Sequence, residues 1–466
     1  MIVALSANVD PVAMTTKAIP WLSTQMPQMD ITLPRLFTLI LFMLSTNGML
    51  FADIIAGPML ANAEMREATI WVQTDAPAVI RVKYQNENNN AWWSLPAETN
   101  PNLANTTTIK LRQIEPGQQY QYRIEVDGEI TQLGGNFKSP DFYHERTPPP
   151  DIRIAVGGAH YAVQENYEPP YQILGGGYSI FNTILKNKPD YMIWTGNTAH
   201  LRESDWTTQS GYLKRYTTAR AVPELQRLLA NVPHVATWAQ HEYALKNVGK
   251  HYANRAFAEQ SFRAFWPLPA TIPDLPGIMT RFRCSDVDFI LLDVRSHRIN
   301  SVKSDNFPEI LGDIQIEWLR QELVASTATF KVVIAGAPIL NPADNPANLS
   351  AANYEQNKLL EMLRSEKIGG LFFISGGKSN GELTRLVHAN SYNIYDLTVG
   401  PLTAIPSESN ELNFFRMPGT NTLERQFALI DFEGPEDDRQ IRIRVINLEG
   451  NEIWSRVIKA SQLSRK

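Results

Sequence analysis

The sequence predicts a two-part fold: a small β-sandwich, then an α/β domain whose apolar strands alternate with helices. Three observations carry this. Residues 68–128 alternate in side-chain character over short runs split by turn signals, the period of half-buried strands. From residue 153 onward, continuous apolar runs end in small and polar residues and are separated by amphipathic segments, as in a sheet covered on both faces. Between the two patterns stands a stiff joint, Thr147-Pro-Pro-Pro150.

The first part is read strand by strand. ATIWVQT (68–74), AVIRVKYQ (78–85), TTTIKLRQ (106–113) and QYQYRIEVDG (119–128) are strands, and Asp127-Gly128 marks a hairpin. Ile114-Glu-Pro-Gly-Gln-Gln-Tyr120 has the spacing of a tyrosine corner, whose hydroxyl bonds backbone a few residues upstream. That makes the block a fibronectin-type-III-like sandwich ending near Pro140. Nothing in it is reactive, so its expected task is to position the α/β domain.

In the second part the strands are RIAVGGAHY, DYMIWTGNTAH, HVATWAQHEY, DFILLDVRSHR, FKVVIAGAPI and GLFFISGGKSN. The helices between them are SIFNTILKNK (179–188), PELQRLLANV (223–232), DIQIEWLRQELVAS (313–326) and NKLLEMLRSE (357–366). The tail, FALIDFEG and RQIRIRVINLEGNEIWSRVI, reads as strands about a Leu448-Glu-Gly450 turn. Gly175-Gly-Gly177 lacks the lysine and preceding strand of a phosphate loop and reads as a turn before a helix.

Composition limits the rest. With 466 residues the chain holds about two or three cores. A net charge of −5 without a basic run gives no footprint for nucleic acid. Cys284 is the only cysteine, so neither an intramolecular disulfide nor a thiolate zinc cluster can form. Residues 36–44, LFTLILFML, follow Arg35 and have signal-peptide length rather than membrane-spanning length. Ala52 is the small residue for cleavage, and a start at Met26 or Met29 gives an ordinary leading segment. The expected organisation is an extension with a leader over 1–52, a sandwich over 53–147 and the α/β domain over 148–466. The expected location is the periplasm or outer envelope of a bacterium, with no stable transmembrane span after processing. The sequons at Asn105 and Asn348 matter only in a eukaryotic secretory setting.

Catalytic groups in such folds gather at strand ends. Here those ends supply Ala159 and His160, Asn197 and His200, Gln240, His241 and Glu242, then Gly377, Ser379 and Asn380. Hydrolysis by a metal pair needs several carboxylates and histidines around cations about 3.5–4 Å apart. Glu242 is the sole acid in this set. His160, His200 and His241 could form a mononuclear site with Glu242, against the simpler reading of loop-bonded histidines. Lys378 and Arg385 could hold an anion, against the simpler reading of solvated charges. Asp293 and Arg295 are read as bracing a loop.

The blocks EPPYQILGGGYSIFNTILKNKPDYMIWTGNTAHLRESDWTTQSGYLKRY, PELQRLL, VDFILLDVRSHR, LGDIQIEWLRQELVASTATFKVV, GLFFISGGKSNGELTRL and YDLTVGPLT occur in the order seen in a known family. From about residue 55 to the end, the chain resembles the alkaline phosphatase D family of metallophosphoesterases. The resemblance implies a metallophosphoesterase-like α/β fold with an amino-terminal sandwich. It also implies a metal-dependent phosphoester hydrolase. Trp206, Arg215, Tyr216, Trp238, Trp318 and Arg385 match that scaffold.

The motifs depart from the family. Its Gly-Ser-Cys is Gly157-Gly158-Ala159 here, and its Gly-Asp-Asn is Gly196-Asn197-Thr198. Its Trp-Asp-Asp-His-Asp is Trp238-Ala239-Gln240-His241-Glu242. Its Gly-Asp, then any residue and His, is Gly376-Gly377-Lys378-Ser379. Of the positions that carry metal or catalysis in the family, His241 survives and Glu242 is a near-equivalent. The expectation is therefore a phosphatase fold without the hydrolysis, no cofactor, and an unknown protein or small anionic ligand as partner. The alternative is an active hydrolase with an atypical site of divalent or ferric ions.

Overall fold

The computed structural model describes residues 52–466, apart from 170, 173, 246–247, 271, 273–274, 301–306, 388–391, 409 and 465–466. The leader expected over 36–52 lies outside these residues except for Ala52, which is buried in the sandwich core. No described helix is long and apolar enough to cross a membrane.

The sandwich is built from β1 (Ile54–Ala63), β2 (Ala68–Thr74), β3 (Val79–Asn86), β4 (Ala91–Trp93), β5 (Ala97–Glu98), β6 (Thr106–Leu111), β7 (Gln119–Val126) and β8 (Glu129–Lys138). One sheet has the order β1-β2-β6, and the other β4-β3-β7-β8 with β5 beside β3. Alternate residues of each strand, such as Ile80, Val82 and Tyr84 of β3, close one core with Leu60, Ile70, Ile109 and Ile124, as period-2 burial requires. The Tyr120 hydroxyl accepts the Glu115 N–H at 2.8 Å, the corner expected from the spacing. Asp127 and Gly128 both have positive φ, 48° and 92°, which matches the twist of a two-residue hairpin.

Among the described residues the second part has twelve strands: β9 (Ile152–Gly157), β10 (Tyr191–Thr195), β11 (His234–Thr237), β12 (Thr280–Cys284), β13 (Val287–Leu291), β14 (Phe330–Ala335), β15 (Leu371–Ser375), β16 (Glu382–Leu386), β17 (Ile394–Thr398), β18 (Gln426–Glu433), β19 (Gln440–Asn447) and β20 (Glu452–Lys459). They form two six-stranded sheets, β11-β10-β9-β18-β19-β20 and β12-β13-β14-β15-β17-β16. Both are mixed. β9, β10 and β11 run parallel, and so do β13, β14, β15 and β17, while β18, β19 and β20 in the first sheet and the edge strands β12 and β16 in the second pair antiparallel.

This corrects the expectation of helices on both faces of one sheet. Ile152, Ile154 and Val156 of β9 share a core with Phe289, Val332 and Phe373 of the other sheet, so the sheets pack on each other. The opposite face of the first sheet, with Ala155, Met192 and Trp194, meets the helices Ile180–Lys186, Gln209–Arg220, Pro223–Asn231 and Arg255–Phe265. A strand buried on both faces reads as an unbroken apolar run whichever layer covers it, so the sequence could not tell a second sheet from a second helical layer. Gln209–Arg220 and Arg255–Phe265 were not anticipated. The first mixes buried Arg215 and Arg220 into its inner face, which erases the apolar stripe.

Sandwich and sheets form one compact unit, Phe51–Lys466. Trp71 Nε1–H bonds Ala264 O at 2.6 Å, Tyr122 O–H bonds Ala230 O at 2.8 Å, and the Gly57 N–H bonds Gln226 Oε1 at 2.8 Å. The Arg220 guanidinium lies over both Trp71 and Trp266, 5.4 and 3.8 Å from the ring centres. Burial there pushes its pKa down to about 9.

One buried acid sets a pH dependence. The Asp396 carboxylate accepts the Ser375 hydroxyl at 2.5 Å and the N–H groups of Ile339 and Leu340 at 2.8 and 2.9 Å. Burial outweighs these bonds and raises its pKa to about 6 from 3.8. The folded chain thus holds this proton more tightly than the unfolded one. The Asp396 contribution to stability grows as pH falls through about 6 and levels off below the unfolded value. The ceiling is on the order of 3 kcal/mol. Urea titrations at several pH values check this: subtracting the Asp396→Asn profile from the native one should leave that slope, and a flat difference refutes it.

Candidate functional site

The four motif turns converge at the carboxyl ends of β9, β10, β11 and β15. Their backbones touch. A Cβ on Gly158 would lie 2.5 Å from Thr195 Oγ1, one on Gly196 2.5 Å from Ala239 N, and one on Gly376 2.1 Å from Thr195 O. The Ala159 N–H donates to Gly196 O at 2.9 Å. Ala159 and Asn197 are both left-handed, with φ of 49° and 55°. Asparagine tolerates that conformation, whereas alanine pays about 1–2 kcal/mol for it. The turns keep the shape of a strand-end site.

Glu242 is the centre of this region. It lies in the short helix Gln240–Tyr243, three residues after Ala239, and is fully buried. Its carboxylate accepts the N–H groups of Asn197 at 2.7 Å and Ala239 at 3.0 Å, the Thr198 hydroxyl at 3.0 Å, and the Thr198 N–H in a still shorter bond. Burial raises its pKa against the pull of all four donors. Asn197 Oδ1 in return accepts the His241 N–H at 3.1 Å. The second and third motif turns are thus stapled together by side chains that face each other rather than an open cleft.

The histidines do not point at one centre. His160 turns inward: Nδ1 lies 2.9 Å from Thr403 Oγ1 and Nε2 2.9 Å from Ala219 O, so both ring nitrogens are engaged. Burial pushes its pKa down to about 4. His200 stacks on His241 with ring centres 4.3 Å apart. Burial first, then the His241 ring, holds His200 well below the ordinary value. The His241 ring also meets the Gln240 amide, with Nε2 at 3.1 Å from Gln240 Nε2. Gln240 and His241 are half-buried and Ser379 is exposed.

Gly377 has φ of 76°, and a Cβ there would lie 2.5 Å from Gly336 O. An aspartate at this position would strain the backbone as it stands.

Lys378 is not solvated, contrary to expectation. Its side chain is 8% exposed and pairs with Glu411, which also accepts the amides of Asn341, Asn345 and Asn348. Burial would raise the Glu411 carboxyl, but Lys378 and these amides outweigh it and hold it below the ordinary range. Arg385 is exposed. The lysine was visible in the last motif, but Glu411 sits in an irregular loop and gave no periodic signal. Asp293 does brace its surroundings, accepting Trp238 Nε1–H at 2.7 Å and the N–H groups of Arg295 and Ser296. Gly175 forms a bridge with Ala404 ahead of the helix, as a turn rather than a phosphate loop.

The metal pair that the resemblance implies needs several charged donors at these turns. Ala159 and Ala239 offer methyl groups, Gly377 offers no side chain, and the Asn197 amide is spent on His241. The Glu242 carboxylate is committed to four internal donors. Among the described residues, no three histidine, cysteine, aspartate or glutamate side chains are placed to hold a metal ion. The residues present do not fit a metal pair.

A model of the PhoD-like phosphatase family matches residues 155–428, and one described as a domain of unknown function matches residues 51–141. Alkaline phosphatase D of Bacillus subtilis (strain 168) is 24% identical over 274 residues, covering 50% of this chain and 45% of that protein. The chain thus spans less than half the length of that curated relative. A solved structure of PhoD superposes with a TM-score of 0.67 at 15% identity, covering 87% of this chain and 89% of the other. A purple acid phosphatase from yellow lupin (Lupinus luteus) seeds superposes with a TM-score of 0.61 at 13% identity, covering 86% and 74%. These likenesses establish a metallophosphoesterase-like fold, and with the family match over more than half its length, the chain belongs to the PhoD-like phosphatase family.

Proposed function

We propose that this chain is a PhoD-like protein that has lost metal-dependent phosphoester hydrolysis and serves as a binding or structural protein of the bacterial envelope. One observation carries the reading. Glu242 is the only carboxylate among the eight motif positions, and its oxygens are occupied by the backbone and hydroxyl donors of neighbouring turns. A metal ion would have to displace those bonds and would find no second acid to balance its charge. The strand-end surface is kept without the charge that hydrolysis needs, which suits recognition of a protein or a small anion. In this reading the sandwich is fibronectin-type-III-like, on the strength of its tyrosine corner, and residues 36–52 are an export leader.

The test is hydrolysis of p-nitrophenyl phosphate and bis(p-nitrophenyl) phosphate with iron, calcium, zinc or manganese supplied. The rate should stay at that of the Glu242→Gln variant. Saturable, metal-dependent turnover that disappears in His241→Ala would instead favour a working atypical site.

A further inference from the structure

The motif turns occupy the carboxyl rim of the first sheet. The opposite rim holds a cavity of about 580 Å³, a volume that suits a small organic ligand. Its walls come from the chain after β1, the chain after β8, the starts of β9 and β10, and the turn between β12 and β13. Since β9 and β10 begin here and end at the motif turns, the two places are about 16 Å apart.

Charge tells what the cavity would take. Its cations are already matched: Lys138 pairs with Asp141 at 2.8 Å, Arg66 with Glu115 at 2.6 Å, and Arg283 lies 3.7 Å from Asp288. Asp151 is matched by Arg439 at 2.6 Å. Two lining acids are left over. Among the described residues, neither Glu64 nor Asp190 belongs to an ion pair. Glu64 accepts the Asn62 amide at 3.1 Å, and Asp190 accepts the Arg153 N–H at 2.7 Å. Asp190 is exposed at the mouth of the cavity, and Glu64 is half-buried. Desolvation raises both carboxyls, even though Arg153 and Lys138 attract Asp190 from a distance. Both acids line this one cavity, as does the buried Cys284. Ile152, three prolines and the rings of Tyr143 and Tyr191 complete an apolar surround.

We propose that this cavity binds a small organic cation, an amine on an aromatic or aliphatic body. Glu64 and Asp190 take the ammonium group, and the proline and tyrosine walls take the body. An ammonium supplies the opposite charge these carboxylates lack, whereas an anion would meet them as like charges. The proposal is independent of whether the motif turns are catalytic.

Tryptamine, indole and indole-3-acetate share one body and differ in charge, so they are the probes, titrated calorimetrically into the full chain at low salt. Tryptamine should bind at least about tenfold more tightly than indole, and indole-3-acetate more weakly than indole. Glu64→Gln with Asp190→Asn keeps the shape and should cost tryptamine at least about tenfold in affinity. Met65, which lines the cavity and is half-buried, reports the location: bound tryptamine should slow its oxidation by hydrogen peroxide, read by peptide mass spectrometry. That protection, read in the native chain, decides the matter if the double variant fails to fold. No tryptamine binding, equal binding of indole-3-acetate, or binding without Met65 protection each overturns the proposal.

Discussion

Glu242→Ala lowers the free energy of unfolding by about 4 kcal/mol. The substitution strands the three backbone N–H groups and one hydroxyl that the carboxylate now satisfies. Each buried donor left without an acceptor costs about 1–3 kcal/mol, and water entering the vacated space recovers part of the total. Glu242→Gln keeps the shape but turns one acceptor oxygen into a donor facing N–H groups, so about half the loss is expected. Urea titrations of the three proteins measure both. A loss below about 1 kcal/mol for Glu242→Ala would mean the staple holds nothing.

The second large effect is a gain. Putting aspartates at Asn197, Ala239, Gln240 and Gly377, glutamate kept at 242, cysteine at Ala159 and histidine at Ser379 rebuilds the family's motif set on this backbone. The rebuilt chain should bind divalent or ferric ions at least about a thousandfold more tightly than the native one, roughly 4 kcal/mol. Gly377→Asp is the difficult member, since its φ of 76° and the 2.5 Å approach to Gly336 O force the turn to move. A set that leaves Gly377 alone should therefore fold more readily and bind more weakly. Isothermal titration of folded variants decides. If the full set folds and gains no affinity, the turns have been matched to the wrong motifs.

Much of the architecture was legible because it follows from periodicity. The alternation in β2, β3 and β7 and the Asp127-Gly128 hairpin are local signals, and the structure places them within a residue or two of their expected bounds. The stacking of two sheets was not legible, because Ile154 and Ile193 look the same in sequence whether a helix or a strand covers them. The convergence of the four turns followed from the rule that strand ends of such a sheet gather at one crevice, and the resemblance identified them as motifs. What the sequence concealed was commitment. Glu242 reads as a surviving ligand, although its place three residues after Ala239 is also where a helix's own amide collects a carboxylate. His160 reads as a strand-end donor, yet partners from Ala219 and Thr403, distant in sequence, occupy both nitrogens. Lys378 reads as a surface charge until Glu411 arrives from a loop without pattern.

The most direct test of the central claim is the metal content of the purified chain. The protein is incubated with iron, calcium, zinc and manganese, desalted, and measured by elemental mass spectrometry. A site whose one carboxylate is spent internally predicts near-zero retained metal. A stoichiometric ion that survives desalting, and is lost in His241→Ala, would contradict it.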